Sequence, residues 1–405
     1  MKKFKNFYFY CQFPKDYILA FFFHNFLKEY FKNSTFHLVL TKDDYSKDYN
    51  WKFFINKFHN VLYVKKSNIG SLRNRINLRG ILFFILKGYF RSYLTNKQLK
   101  SIKVPDNTLL ITFGGFSLEK SLFLNLSNLK KNIKSFLIAD DLDDVKLSEF
   151  KYAIKESLYY NLYQYFYSKK YVDIFWFRSS ISTSQREYRF RDQPTDYFFK
   201  GEYLFRNKSL NNKQLYWPIF FHKNTNNKKQ EIAIIGGMYH WEKLINLKFF
   251  YNTYNNIINL IRDNSVDCKL TYINHPSTEG EKDIEINKLN LKNFKIIKNL
   301  SCENYAYNCK NNLTFFTIFS TAVYTLNQMG SPAFTVYKLF NSGEMDKKFI
   351  NRLNYRWKID KKFGKFHLNN QREIIDVISN LSIKKSNTIN NYIIKDYKKK
   401  LDFLL

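Results

Sequence analysis

Apolar and polar positions along the chain fall into two rounds of one rhythm. Short β-rich runs at 7–11, 36–40, 60–64, 109–113 and 136–139 read as strands of a first unit. After the first of them, Leu19, Phe22, Phe23, Phe26, Leu27 and Tyr30 follow helical spacing and give one apolar face, with Asp16 as the predicted N-cap. A polar run at 223–229 interrupts the pattern, which then restarts. Strands are predicted at 231–235, 269–273, 294–297, 313–319 and 333–337, with helices at 242–261, from Glu303 onward, and at 322–329 with Gly330 as the stop. Strand, helix and strand in this order predict parallel sheets. The pattern therefore predicts an α/β chain of two Rossmann-like units, 1–222 and 231–385, joined by a linker at 223–230. A basic amphipathic helix is predicted within 386–405, with Lys395, Lys398, Lys399 and Lys400 beside Ile394, Tyr397, Leu401, Leu404 and Leu405. It either packs back on the first unit or touches anionic lipid.

Three stretches resist the rhythm. Residues 71–94 carry Arg73, Arg75, Arg79, Lys87 and Arg91 beside an apolar run, which fits an ordinary helix or one lying on a membrane surface. Residues 159–177 are dense in aromatics. Residues 179–212 show little periodicity and read as an irregular loop or lid.

Composition narrows the function classes. At 405 residues the chain exceeds what one core usually holds. Lys and Arg outnumber Asp and Glu by 66 to 34, a net charge of +32, which points to anionic partners: nucleic acid, acidic headgroups, or sugar phosphates and sialylated glycans. Phe, Tyr, Ile, Asn and Lys all use AT-rich codons, so part of that excess reflects the genome. Cys11, Cys268, Cys302 and Cys309 form no Cys-x-x-Cys pair, which signals neither a zinc site nor a disulfide framework and fits a reducing compartment. The basic N-terminus runs into a strand with no small-residue cleavage site, so no signal peptide is predicted. No run reaches the ~18 apolar residues of a membrane span. A cytoplasmic protein is expected, with peripheral contact to the inner face of a bacterial inner membrane as the further expectation.

Candidate chemistry gathers at predicted strand ends. The strand at 269–273 closes on Asn274-His275-Pro276, and Pro276 stops a ladder and holds His275 extended. In open α/β sheets that edge is where ligands bind, and a histidine there is suited to donating a proton near neutral pH. The strand at 136–139 runs into Asp140-Asp141-Leu142-Asp143-Asp144. Crowded carboxylates raise one another's pKa and suit one of them to general-base work; acids of a helix first turn fit as well. Ser320-Thr321 open a predicted helix, either as plain caps or as a phosphate site. Gly236-Gly237 end the strand at 231–235, and Gly114-Gly115 follow the strand at 109–113, where two glycines either let the backbone approach a ligand or simply make a tight turn.

On these residues the chain resembles the bacterial two-domain sialyltransferases, chiefly glycosyltransferase family 52 and the related bacterial polysialyltransferases. Phe7-Tyr8-Phe9-Tyr10-Cys11-Gln12-Phe13-Pro14 looks like the family's opening strand with its Cys and Pro. Asp140-Asp141-Leu142 is similar to an acidic pair followed by glycine, with leucine in the glycine's place. His275-Pro276 matches the His-Pro motif, and Ser320-Thr321 resembles the later Ser/Thr motif. The resemblance implies a GT-B fold with a central cleft, CMP-sialic acid as donor, inversion at the anomeric carbon, and neither metal nor cofactor. It implies Asp141, or Asp140, as general base and His275 at the departing phosphate. It also implies Ser320 and Thr321 as phosphate ligands, Pro276, Gly236 and Gly237 in the donor cleft, and Glu303 on the ribose. The expected acceptor is a cell-surface glycan, lipooligosaccharide or capsule, carried on a lipid.

Other readings stay open. A GT-B transferase using CMP-Kdo or a UDP-sugar has the same motifs. Asp141-Leu142-Asp143 is also a DxD triplet of the kind that binds a metal and a nucleotide-sugar diphosphate. A basic nucleic-acid-binding protein fits the charge, but no zinc finger, RNA-recognition or helix-turn-helix signature is present.

Overall fold

In a computed structural model, the described residues are 4–12, 14–42, 52–65, 90, 93–114, 118–140, 196–202, 214–220, 229–237, 239, 245–275, 284–298, 300–356, 366–381 and 387–402. The acidic run at 141–144, Pro276, the aromatic stretch 159–177, and most of 71–94 and of the polar run 223–229 lie outside them.

Within the described residues, twelve strands form two all-parallel sheets. The first sheet holds β1 (Asn6–Cys11), β2 (Thr35–Lys42), β3 (Asn60–Lys65), β4 (Thr108–Gly114), β5 (Ile133–Asp140), β6 (Tyr197–Glu202) and β7 (Gln214–Tyr216), in the order β3-β2-β1-β4-β5-β6-β7. The second holds β8 (Gln230–Ile235), β9 (Lys269–Ile273), β10 (Lys295–Ile297), β11 (Asn312–Thr317) and β12 (Ala333–Thr335), in the order β10-β9-β8-β11-β12. In each sheet the chain builds outward from a central strand and then returns to its other side. That reversal is the topological switch point of a doubly wound sheet. The architecture is the predicted one: α/β, two Rossmann-like units of GT-B type.

Helix α1 (Pro14–Tyr30) departs from the single apolar face predicted for it. Tyr17 through Phe23 are seven consecutive buried residues, more than one stripe covers. Three surfaces enclose the helix. Phe23 packs on the first sheet, with its ring 5.4 Å from Phe136. Phe26 meets Tyr397 of the terminal helix at 5.3 Å. Phe21 meets Tyr307 of the second unit edge-on at 4.8 Å. One helix is thus core to both units, at roughly 1.5–3 kcal/mol for each fully buried side chain.

The helix starts at Pro14, the position where a missing N–H costs nothing. Asp16 therefore sits inside the first turn and is not the N-cap. Its Oδ2 accepts the Gln12 backbone N–H at 3.0 Å, satisfying a donor just outside the helix.

β6 lies in the stretch read as an irregular loop or lid, and corrects that reading. Its sequence, Tyr-Phe-Phe-Lys-Gly-Glu, shows no clean alternation. A Cβ at Gly201 would stand 2.3 Å from the Trp217 ring, so the glycine admits an indole where a side chain would have marked a strand.

The terminal helix crosses back to the first unit, as one of its two sequence readings has it. Ile393, Tyr397 and Leu401, at i, i+4 and i+8, are fully buried. Tyr397 donates to the Tyr216 carbonyl (2.7 Å), Asp396 accepts the Tyr216 N–H (3.2 Å), and Lys400 donates to the Gln214 carbonyl (2.7 Å). These bonds cover β7, an edge strand that would otherwise stand open.

Candidate functional site in the second sheet

Parallel pairing puts all five C-terminal strand ends of the second sheet on one edge. Register sharpens the placement. Ile235, the last residue of β8, aligns with Ile273 of β9 on one side and Thr317 of β11 on the other. The three loops therefore leave the sheet level with one another, across roughly 10 Å of sheet width. They carry Gly236-Gly237, Asn274-His275 and Ser320-Thr321, and β8/β11 is the switch point.

The first loop is held tightly. Gly236 donates to the Ile273 carbonyl at 2.8 Å. A Cβ there would lie 2.5 Å from the Tyr272 hydroxyl and 3.2 Å from that carbonyl, so only glycine fits. A Cβ at Gly237 would meet the Tyr239 ring at 2.6 Å. The buried Glu285 accepts the Tyr239 backbone N–H at 2.8 Å and pins the end of the loop. Close packing of two tyrosines already accounts for both glycines.

On the second loop, Asn274 donates to the Ile297 carbonyl (2.9 Å), and its side chain accepts the His275 backbone N–H (3.0 Å). His275 is half-buried. Burial pulls its pKa down to about 4. That departs from the expectation of a proton donor near neutral pH: the ring is neutral at pH 7, because desolvation penalises the imidazolium.

The third loop enters α6 (Ala322–Gln328), a helix of seven residues. Ser320 Oγ accepts the Ala322 N–H at 3.2 Å, while Thr321 makes no side-chain capping bond. With two turns of helix the macrodipole is small, so an anion here depends on hydroxyls and loop N–H groups. The far end stops at Gly330, φ 80°, as predicted. Ser331 N–H bonds the Leu326 carbonyl and Gly330 N–H the Asn327 carbonyl, the paired bonds of a left-handed glycine cap.

Glu303 lies on α5 (Cys302–Asn308), whose cap is Ser301, the acceptor of the Asn304 N–H. Glu303 accepts from Thr325 Oγ1 at 2.8 Å. Thr325 is four residues beyond Thr321, so the carboxylate stands on the same helix face as that hydroxyl. It also lines a small groove between the units, with Asn304, Tyr307 and Met329 on one wall and Ile18, Phe21 and Phe22 of α1 on the other.

In the first unit, Asp140 ends β5 at the sheet's C-terminal edge, and Asp141 follows outside the described residues. Sequence reading missed a buried polar cluster at the β1/β4 switch point of this sheet. Lys120 pairs with Asp16 at 2.8 Å and donates to the Phe113 carbonyl, and Gln12 donates to Glu119 at 3.5 Å. All four side chains are buried. Lys15 stands beside them, its ammonium 4.1 Å from the Trp217 ring. Gln12 and Glu119 are more than a hundred positions apart, and no spacing links them. Among the described residues, no group of three or more His, Cys, Asp or Glu is placed to hold a metal.

No protein-family model matches the sequence, and no curated protein matches it. Solved structures align with it over most of its length. S. aureus MnaA in a co-structure with UDP aligns at TM-score 0.48 and 11% identity, over 100% of this chain and 98% of that one. A Methanocaldococcus jannaschii UDP-GlcNAc 2-epimerase in complex with UDP-GlcNAc and UDP aligns at 0.44 and 12%, over 96% and 98%. The GT-B domain of a sialyltransferase from Photobacterium damselae aligns at 0.39 and 10%, over 82% and 90%.

Proposed function

We propose that the chain is an inverting, metal-independent glycosyltransferase that moves sialic acid from CMP-sialic acid to a glycan acceptor. One observation carries this reading: Gly236-Gly237, His275 and Ser320-Thr321 leave three adjacent parallel strands in register at a switch point. That edge is where an α/β sheet holds a nucleotide. The donor phosphate meets the Thr321 hydroxyl and the loop N–H groups, with Ser320 setting the turn. Glu303 accepts from the ribose hydroxyls. A proline after His275 disfavours a helical conformation at the histidine.

The acceptor hydroxyl oxygen attacks the anomeric carbon as that carbon's bond to the phosphate oxygen breaks. The hydroxyl proton passes to Asp141, or to Asp140, and CMP leaves with the bonding pair. His275, neutral in the free protein, donates a hydrogen bond to the departing phosphate or takes a proton when that anion arrives. Donors aimed where charge develops are the largest contribution such a site makes.

Purified protein incubated with CMP-sialic acid, CMP-Kdo and several UDP-sugars, with a lipooligosaccharide or sialyllactose acceptor, tests the reading. The expected result is CMP release from CMP-sialic acid alone, unchanged by EDTA. Release from a different donor overturns the sugar assignment and keeps the site. Loss of activity in EDTA favours the metal-binding role of Asp141-Leu142-Asp143.

A further inference from the structure

The terminal helix, α7 (Asn387–Lys400), has a face left exposed among the described residues. Its inner residues are buried on the first unit, and Asp396 and Lys400 are engaged with β7 and with each other at 2.5 Å. The outer positions Lys395, Lys398 and Lys399 are exposed. Tyr392, one turn earlier, is 37% exposed. Across the packing line, Lys28 near the end of α1 and Lys32 just after it are exposed too. Lys398 Nζ lies 5.9 Å from the Tyr30 ring, which sets the two helices side by side. The exposed acids of these segments are Glu29 and Asp402, so ammonium groups dominate the face.

We propose that this face docks the protein onto an anionic lipid bilayer. The helices touch through Phe26 and Tyr397, so the cations stand on their outside and do not line a groove that would track a nucleic-acid strand. A partner that fits is broad and negative, and Tyr392 is of the type that settles at a headgroup layer. Among the described residues no helix is long and apolar enough to cross a membrane. The apolar side of α7 is already used inside the protein, so the contact is electrostatic and salt reverses it. Each lysine near such a surface is worth about fivefold in partitioning.

Full-length protein is sedimented with vesicles of phosphatidylcholine alone and with vesicles containing phosphatidylglycerol, at low and high salt and without any donor. Binding is expected only to the phosphatidylglycerol vesicles and only at low salt. Reversing Lys395, Lys398 and Lys399 to Glu together should lower partitioning more than about 100-fold, with an unchanged thermal melt. Reversing three exposed lysines of the second unit, Lys292, Lys295 and Lys310, should cost far less. Equal loss in the two triple variants overturns the proposal, as does wild-type protein that ignores phosphatidylglycerol. Binding of a DNA duplex that the α7 variant loses, without vesicle binding, assigns the face to nucleic acid instead. The assay involves no sugar transfer, so its outcome is independent of the donor assignment.

Discussion

His275→Ala should lower sugar transfer by about 10²- to 10⁴-fold, the usual worth of a positioned acid–base group, while leaving the melting temperature near that of the wild type. His275 follows the end of β9, and its backbone N–H, kept by alanine, makes the bond to Asn274. Burial holds the free imidazole neutral, with a pKa of about 4. A phosphate anion placed beside it reverses the balance, since an opposite charge favours the charged ring. Binding of nucleotide then takes up a proton. The sign follows: the pKa is higher in the complex, so affinity grows as pH falls through the bound value and levels off near the free one. The slope is at most tenfold per pH unit. Profiles of kcat/KM against pH for wild type and His275→Gln separate the two roles. A flat profile in the variant and a rising one in the wild type at lower pH identify proton uptake. Two flat profiles with reduced turnover leave a neutral hydrogen-bond donor. Wild-type turnover in His275→Ala removes the residue from the mechanism.

Glu231→Ala should destabilise the protein by roughly 1–3 kcal/mol for each buried donor it leaves unpaired, together a large share of the ~5–15 kcal/mol that holds a domain together. The carboxylate is buried at the start of β8, on the opposite edge from the site. It accepts from Thr271 (2.6 Å), Asn311 (2.6 Å), Lys269 (3.0 Å) and the Tyr305 hydroxyl, joining β8, β9, α5 and the loop before β11. Burial raises its pKa, but these hydrogen bonds outweigh burial and the net direction is down. A depressed carboxyl pKa contributes stability above its unfolded value, about 4.3, and loses it as pH falls through the folded value. His24, fully buried, works in a higher window. Its pKa is held down to about 4 by burial, so stability drops as pH falls from about 6.5 towards 4. Urea unfolding at neutral pH should show the full cost in Glu231→Ala, with a smaller one in Glu231→Gln. The gap between wild type and Glu231→Gln should close below about pH 4. A gap independent of pH contradicts a charged Glu231.

Much of the fold was legible because parallel strands buried on both faces read as short apolar runs, and the ten predicted ones all appear. Those missed, β6 and β7, are a strand without alternation and one of three residues. The strand-end motifs were legible for the same reason: His275, Gly236-Gly237 and Ser320-Thr321 directly follow apolar runs. Three things were not legible. The neutral state of His275 depends on burial that no local pattern encodes. The Asp16–Lys120 pair and the Glu231 network join residues that only the folded sheets bring together. The all-round burial of α1 required knowing that a second unit and a returning helix would cover it.

The most direct test of the central claim, that a nucleotide phosphate binds at the β8/β9/β11 edge, is calorimetric titration of CMP into wild-type protein, His275→Ala and Thr321→Val. The account predicts binding to wild type that weakens about tenfold or more in each variant, the loss of one hydrogen bond to a charged group. Equal affinity in all three proteins would contradict it; no affinity for CMP beside clear affinity for another nucleotide would overturn the CMP donor and keep the site.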